Sequence, residues 1–394
     1  MRHAAPLLLV CAIVCAQQAA VEQAWDLAAK GQREQAIQLL RQVVAKDTAN
    51  VDAHLLLGSL LSEAGNAPDA IEQLAEAVKL KPESADAQNA LGEAYLATGD
   101  YKNGRAPFEK AAAINARFAP AQLNLGSVLL QSGDFAAAAQ HLDRAIQLLG
   151  TDSEAAYAHY LRAKVYSAAG NWQNAAKELE HAIAIRPNYP EAWSDLGQAR
   201  RLLLDDAGAL AAQKRAVELN SGDAVAQYRL GAEYLRQQQI EPAIQHLEAA
   251  YRLNDKDQST LNALQSALRQ AGKTEEAQSI KQKLAGLLRE KDRANQNQLR
   301  AVKLNNEGAA QQKAGELGSA LEKYREAVAL YPSHVGIRLN YAVALLRLGQ
   351  WTEGLNEMHE ALERDPGNAQ IRAALQDALH QAPAATVPQW AEKK

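Results

Sequence analysis

Apolar residues recur every three or four positions across residues 50–84, NVDAHLLLGSLLSEAGNAPDAIEQLAEAVKLKPES. That spacing puts them on one stripe of a helix. The pattern predicts two helices, residues 51–64 and 68–80, turned by Gly65-Asn66 and closed by Pro82. Gly58 and Ala70 stand where the two backbones meet, because only minimal side chains permit close approach. Leu57, Leu61 and Leu74 fill the space around that contact, and Ala77 admits the next helix. Neither helix can hide its stripe alone, so the unit requires neighbours.

The neighbours follow in phase. The place of Ala70 is taken by Ala36, Gly104, Ala138, Ala175, Ala209, Ala243, Ala277, Ala320 and Gly354. The place of Gly58 is taken by Ala24, Gly92, Gly126, Ala163, Gly197, Gly231, Gly308 and Ala342, with Gln265 as the exception. The bulky place of Leu74 reads Leu40, Phe108, Leu142, Leu179, Leu247, Tyr324 and Met358, broken by Gln213 and Lys281. Pro82, Pro187, Pro332 and Pro366 close four units. Trp193, Leu196 and Gly197 open one copy, and Leu91, Gly92, Tyr95 and Phe108 carry another. On these residues the chain resembles the tetratricopeptide repeat family, whose period is about 34 residues. The resemblance implies an all-α, right-handed superhelical solenoid of helix-turn-helix units whose first helices line a concave groove.

The units are expected at residues 17–50, 51–84, 85–118 and 119–152, then, after an insertion at 153–155, at 156–189, 190–223, 224–257 and 258–291. The array thus covers residues 17–291, its last unit degenerate. The unit at 190–223 is irregular, with Arg200 and Gln213 where bulky apolar residues belong. Nothing in residues 273–312 breaks a helix, which predicts one helix of roughly 38 residues, near 57 Å long. Its middle, residues 289–298, is REKDRANQNQ, and residues 292–300 read as a polar helical linker. Two further units follow at residues 301–368, then a capping helix at 369–380 and a disordered tail at 381–394.

Composition adds little and excludes much. A net charge of −4 gives no basic footprint for nucleic acid. No Gly-rich phosphate loop, nucleophile elbow or His-Glu-x-x-His occurs. His54 and His159 hold the place of Trp193, a packing position rather than a metal site. No catalytic residue, cofactor or metal is expected, and the chain reads as a non-enzyme.

Residues 1–16 form a separate element: a basic start, a short apolar run and small residues before a cut after Ala16, the pattern of a secretory signal peptide. The apolar run is too short to span a bilayer. Both cysteines, Cys11 and Cys15, lie inside it, so the processed chain would contain none. The expectation is a periplasmic or secreted protein, with lipid attachment through Cys15 as the rival. No transmembrane span is expected in the mature chain.

The groove positions supply the candidate site. They place Asn124, Tyr157, Tyr160, Lys164, Arg201, Tyr228, Arg229, Arg236 and Arg269 along the array, with Asn306 and Asn340 beyond the polar segment. Tyr and Arg combine apolar area with directed donors and dominate protein interfaces. The reading is a scaffold or adaptor that binds a protein or peptide segment, acidic or C-terminal, in the groove. The plainer alternative pairs Arg201 and Arg229 with Asp195, Glu191 or Glu233. A substrate-recognition subunit of a transferase or protease with a separate catalytic chain is the rival function, and self-association stays open.

Overall fold

The computed structural model describes residues 4–391, with side chains from residue 17 onward. Residues 1–3, the basic start of the expected export signal, lie outside the described residues, as do the side chains of its apolar run. Among the described residues there are twenty α-helices, one 3-10 turn and no strand. The chain divides into two compact units, Met1–Gly272 and Lys273–Lys394.

The first unit is a run of helical hairpins. They are α1 (Ala4–Ala29) with α2 (Arg33–Lys46), α3 (Val51–Glu63) with α4 (Ala67–Leu80), α5 (Ala85–Ala97) with α6 (Tyr101–Ile114), and α7 (Ala119–Gln131) with α8 (Phe135–Leu149). There follow α9 (Ala155–Ala168) with α10 (Trp172–Ile185), α11 (Pro190–Leu202) with α12 (Asp206–Leu219), α13 (Ala224–Arg236) with α14 (Ile240–Leu253), and α15 (Gln258–Gln270). Each second helix also packs on the first helix of the next hairpin, and first helices touch first helices, as in α5 with α7 and α11 with α13. The first helices therefore form one face of this unit. No helix among the described residues is long and apolar enough to cross a membrane.

Local chemistry starts these helices where the sequence says. Asn50 accepts from the Ala53 amide at 3.0 Å and Asp205 from the Gly208 amide at 2.9 Å, each satisfying a free donor of the first turn. The small residues do what their spacing implies: a Cβ on Gly126 would lie 2.7 Å from Leu142, closer than carbon atoms tolerate. A second repeat is polar. His54, Gln88, Gln122, Trp193 and Gln227 each donate to the carbonyl six residues earlier, at 2.9 to 3.2 Å. Arg338 repeats the bond to Pro332. From the same positions, side chains cross the hairpin to a residue 19 farther on, as in Gln122 with His141 at 2.7 Å and His159 with Glu178 at 2.7 Å. These histidines are thus bonded packing residues, and no cluster able to hold a metal occurs among the described residues.

The irregular hairpin keeps its fold by substitution of partners. Arg200 pairs with Glu180 at 2.9 Å instead of packing. At its turn Leu204 adopts φ +63°, where seven other hairpin turns use glycine, and it is 85% exposed.

The second unit begins with α16 (Thr274–Lys313), 40 residues long, which pairs with α17 (Leu317–Leu330). The polar stretch 289–298 lies inside it and is exposed apart from half-buried Asn297. Then come α18 (Val335–Arg347), α19 (Trp351–Arg364) and α20 (Ala369–Gln381), with α20 covering α19. Ala327 on α17 and Leu304 on α16 share a buried cluster with Ile337.

The tail is a correction. Residues 382–391 were expected to be disordered, yet Ala382 and Trp390 pack on the last hairpin's core. Trp390 stacks on His359 with centroids 4.0 Å apart, and its Nε1 donates to Asn356 at 2.8 Å. Thr352 donates to the Thr386 carbonyl at 2.8 Å. Two prolines stop a helix but do not prevent docking, because an indole supplies both apolar area and a donor.

Candidate functional site

Every site residue expected in the array lies on a first helix of the first unit: Asn124 on α7, Tyr157, Tyr160 and Lys164 on α9, Arg201 on α11, Tyr228, Arg229 and Arg236 on α13, and Arg269 on α15. Asn306 and Asn340 belong to the second unit, on α16 and α18. There Asn340 donates to Asn305 at 2.8 Å, and Asn306 is exposed.

At the α5–α7 end, Asn124 donates to Asn89 at 3.1 Å and to Glu93 at 2.9 Å, while Asn89 also donates to Glu93. The amide ladder joins adjacent first helices. Beside it an open cleft of about 310 Å³ is lined by Glu93, Asn124, Tyr157 and Arg186 among others. Tyr157 stacks near Tyr160 at 6.5 Å, Tyr160 meets Tyr189 at 5.2 Å, and Arg186 sits over the Tyr189 ring at 5.1 Å. Burial and the nearby Asp195 hold the Tyr160 hydroxyl well above the usual phenol range, so it stays a donor.

Asp195 is the hub between α9, α11 and α13. Lys164 reaches it at 3.2 Å, and Arg229 reaches it at 2.8 Å while also donating to Ser194 Oγ at 2.8 Å. Arg236 is gripped likewise by Glu233 at 2.5 Å and Asp206 at 2.6 Å, contacts that raise its pKa further. Three of the five expected cations, Lys164, Arg229 and Arg236, are therefore already paired, and the plainer alternative holds for Arg229 with Asp195 but not for Arg201. Arg201 is different: it lies exposed and, among the described residues, has no acidic partner.

An open cleft of about 370 Å³ collects Arg201, Tyr228, Arg229 and Arg236 with Gly197, Gln198, Ala232, Glu233 and, from α12, Gln213. Gln213 was missed as a site residue. It is 3% exposed, its Nε2 donates to the Ser194 carbonyl at 2.9 Å, and its Oε1 has no partner. A buried acceptor left unpaired costs about 1–3 kcal/mol. The signal was available as the break in the leucine column at residue 213. Arg269 lines a separate open cleft on α15 with Asn262, Gln265 and Ser266. Arg201, Tyr228, Arg229 and Arg236 are brought together, Tyr157 and Tyr160 adjoin them through Lys164 and Asp195, and Arg269 stands apart. The arrangement offers donors, aromatic area and one uncommitted cation.

Family profiles described as tetratricopeptide repeat match residues 27–93, 85–118, 117–188, 160–224, 224–257 and 312–382. A curated relative, the heat-shock protein cognate co-chaperone sgt12 of Aspergillus fumigatus, is 42% identical over 57 residues, 14% of this chain. The chain spans 17% of that protein's length. Among solved structures, Pseudomonas aeruginosa pilF is similar at 20% identity with a TM-score of 0.50, covering 55% of this chain and 97% of that one. A tetratricopeptide repeat protein from Parabacteroides merdae matches at 16% identity and a TM-score of 0.49, over 64% of this chain and 98% of its own.

Proposed function

Because the chain belongs to the tetratricopeptide repeat family, we propose that it is an exported, non-catalytic adaptor that holds an acidic or C-terminal segment of a partner protein. Repeats of this family mediate protein–protein contacts, and the first-helix face is the surface they present for it. The observation that carries the finer reading is Arg201, a guanidinium without an acid in a cleft whose other cations are all paired. A guanidinium grips a carboxylate bidentately, and Tyr228 beside it adds apolar area with a hydroxyl. Export rests on residues 1–16, whose basic start and short apolar run precede the first repeat.

The test is capture from extracts of the native source with the wild-type chain and with Arg201→Glu, the bound proteins identified by mass spectrometry. Arg229 and Arg236 are unsuitable for reversal, since each holds the fold's own acids. Partners retained by the wild type, lost by Arg201→Glu and regained when the partner's acidic residue is changed to Lys support the reading. Partners indifferent to Arg201 move the site off this cleft. N-terminal sequencing of the native protein tests export: a start at Gln17 supports it, and a start at Met1 ends it.

A further inference from the structure

On α16 the residues turned to its own hairpin are Ala301, Leu304 and Gly308, which pack with Ala327, Tyr324 and Ala320 of α17. At about 100° per residue, Leu299 lies on the opposite side of the helix. There it is 74% exposed, with Val302 at 42% and Leu288 at 43%. Together with Lys281, Ala285, Asp292, Asn295 and Asn306 these three form one line that advances by alternating steps of four and three residues. All but half-buried Ala285 are exposed. Single surface leucines need no explanation, but this spacing is the seam of a coiled coil. From residue 281 to 306 it runs about 38 Å.

The line is its own complement when reversed. Laid antiparallel on the same helix of a second copy, Leu288 meets Leu299, Ala285 meets Val302, Asp292 meets Asn295 and Lys281 meets Asn306, each pair occurring twice. Apolar layers thus flank a polar centre in which each Asp292 carboxylate accepts from an Asn295 amide of the other helix. The edges of the seam agree with this pairing. Arg289 falls opposite Gln296 and Lys291 opposite Gln298, so no like charges are brought together. A parallel pair in register would instead set Asp292 against Asp292 and Lys281 against Lys281, two like-charge contacts that the reversed pair avoids.

We infer that the exposed line of α16 is a self-association surface, on which two copies of this chain pair antiparallel about a two-fold axis between Arg293 and Ala294. The Asp292–Asn295 layers fix register and direction at a cost in affinity, as a polar residue in such a seam does. The dimer is therefore exchangeable rather than permanent.

The cysteines of the chain are Cys11 and Cys15, so the full chain with Cys11→Ser and Cys15→Ser provides a background free of thiols. Leu288→Cys and Leu299→Cys are introduced into it separately. A short bismaleimide should link the two variants to each other when they are mixed. Neither should link to itself, because like positions stand about 16 Å apart along the pair. Linking by one variant alone overturns the antiparallel arrangement. Sedimentation equilibrium of the unsubstituted chain reads the association itself, and Leu299→Glu should weaken it about tenfold or more. The melting temperature at concentrations where the chain is monomeric should not change, since this side chain is exposed. Asn295→Asp brings two carboxylates together and should also weaken the dimer, and adding Asp292→Asn should restore it. A monomer at every concentration, a dimer indifferent to Leu299→Glu, or a double change that restores nothing overturns the inference.

Discussion

Arg229 on α13 reaches back across the repeat to Asp195 on α11, its Nη1 2.8 Å from Oδ1, and so spends its charge on the fold. Arg201 and Arg229 are the same residue type on the same face, yet only Arg229 is held. Arg229→Ala leaves a partly buried carboxylate short of a donor and should lower stability by about 1–2 kcal/mol. Arg201→Ala should stay within about 0.5 kcal/mol of wild type. Thermal or urea unfolding of the two variants checks this, and equal losses would mean that Arg201 is also a structural residue.

Acid should loosen the first unit. Burial lowers the pKa of His141, helped by Arg144, and burial lowers that of His246, helped by Lys214. A pKa depressed in the fold means that the unfolded chain binds the proton first, so the stabilisation is complete above the ordinary histidine value of about 6.5 and is lost as pH falls below it. The melting temperature should hold steady above that value and decline beneath it. The double change His141→Gln, His246→Gln should flatten the decline, since neither glutamine titrates. Tyr160 and Tyr189, raised chiefly by burial, act at the other end. Their contribution is complete below the ordinary phenol value of about 10 and fades as pH rises past it.

Leu204 in a left-handed turn conformation carries strain that glycine would not. Because its side chain is 85% exposed, little packing is lost on its removal. Leu204→Gly should stabilise the chain by about 1 kcal/mol, visible as a higher melting temperature. A lower one would show that the leucine is held by contacts on this edge.

Trp390 closes the described tail over α19. Trp390→Ala should remove the stack on His359 and the bond to Asn356, and cleavage within residues 382–391 by a nonspecific protease should accelerate. Unchanged cleavage would mean that Thr386 and its bond to Thr352 suffice to hold the segment.

The hairpin pattern was legible because its causes are local. A glycine or alanine every unit, a leucine facing it and a turn between them specify a pair of helices from residues within a few turns of each other. The 40-residue α16 was legible for the same reason, as an uninterrupted run without a breaker. The docked tail was not, because residues 382–391 carry no periodicity and Trp390 meets its partner through the fold rather than along the chain.

The repeat, its register, the single long helix and the face on which Tyr157, Tyr160, Lys164, Arg201, Tyr228 and Arg229 stand all follow from local residue patterns. Which of these side chains are committed depends on contacts between helices distant in the chain. Arg229 meets an acid 34 residues earlier and Lys164 one 31 residues later, whereas Arg201 meets none and Gln213 keeps an empty acceptor beneath it. Helical periodicity fixes the face a residue occupies, but pairing between successive first helices depends on side-chain reach across a packed gap, which no local pattern encodes.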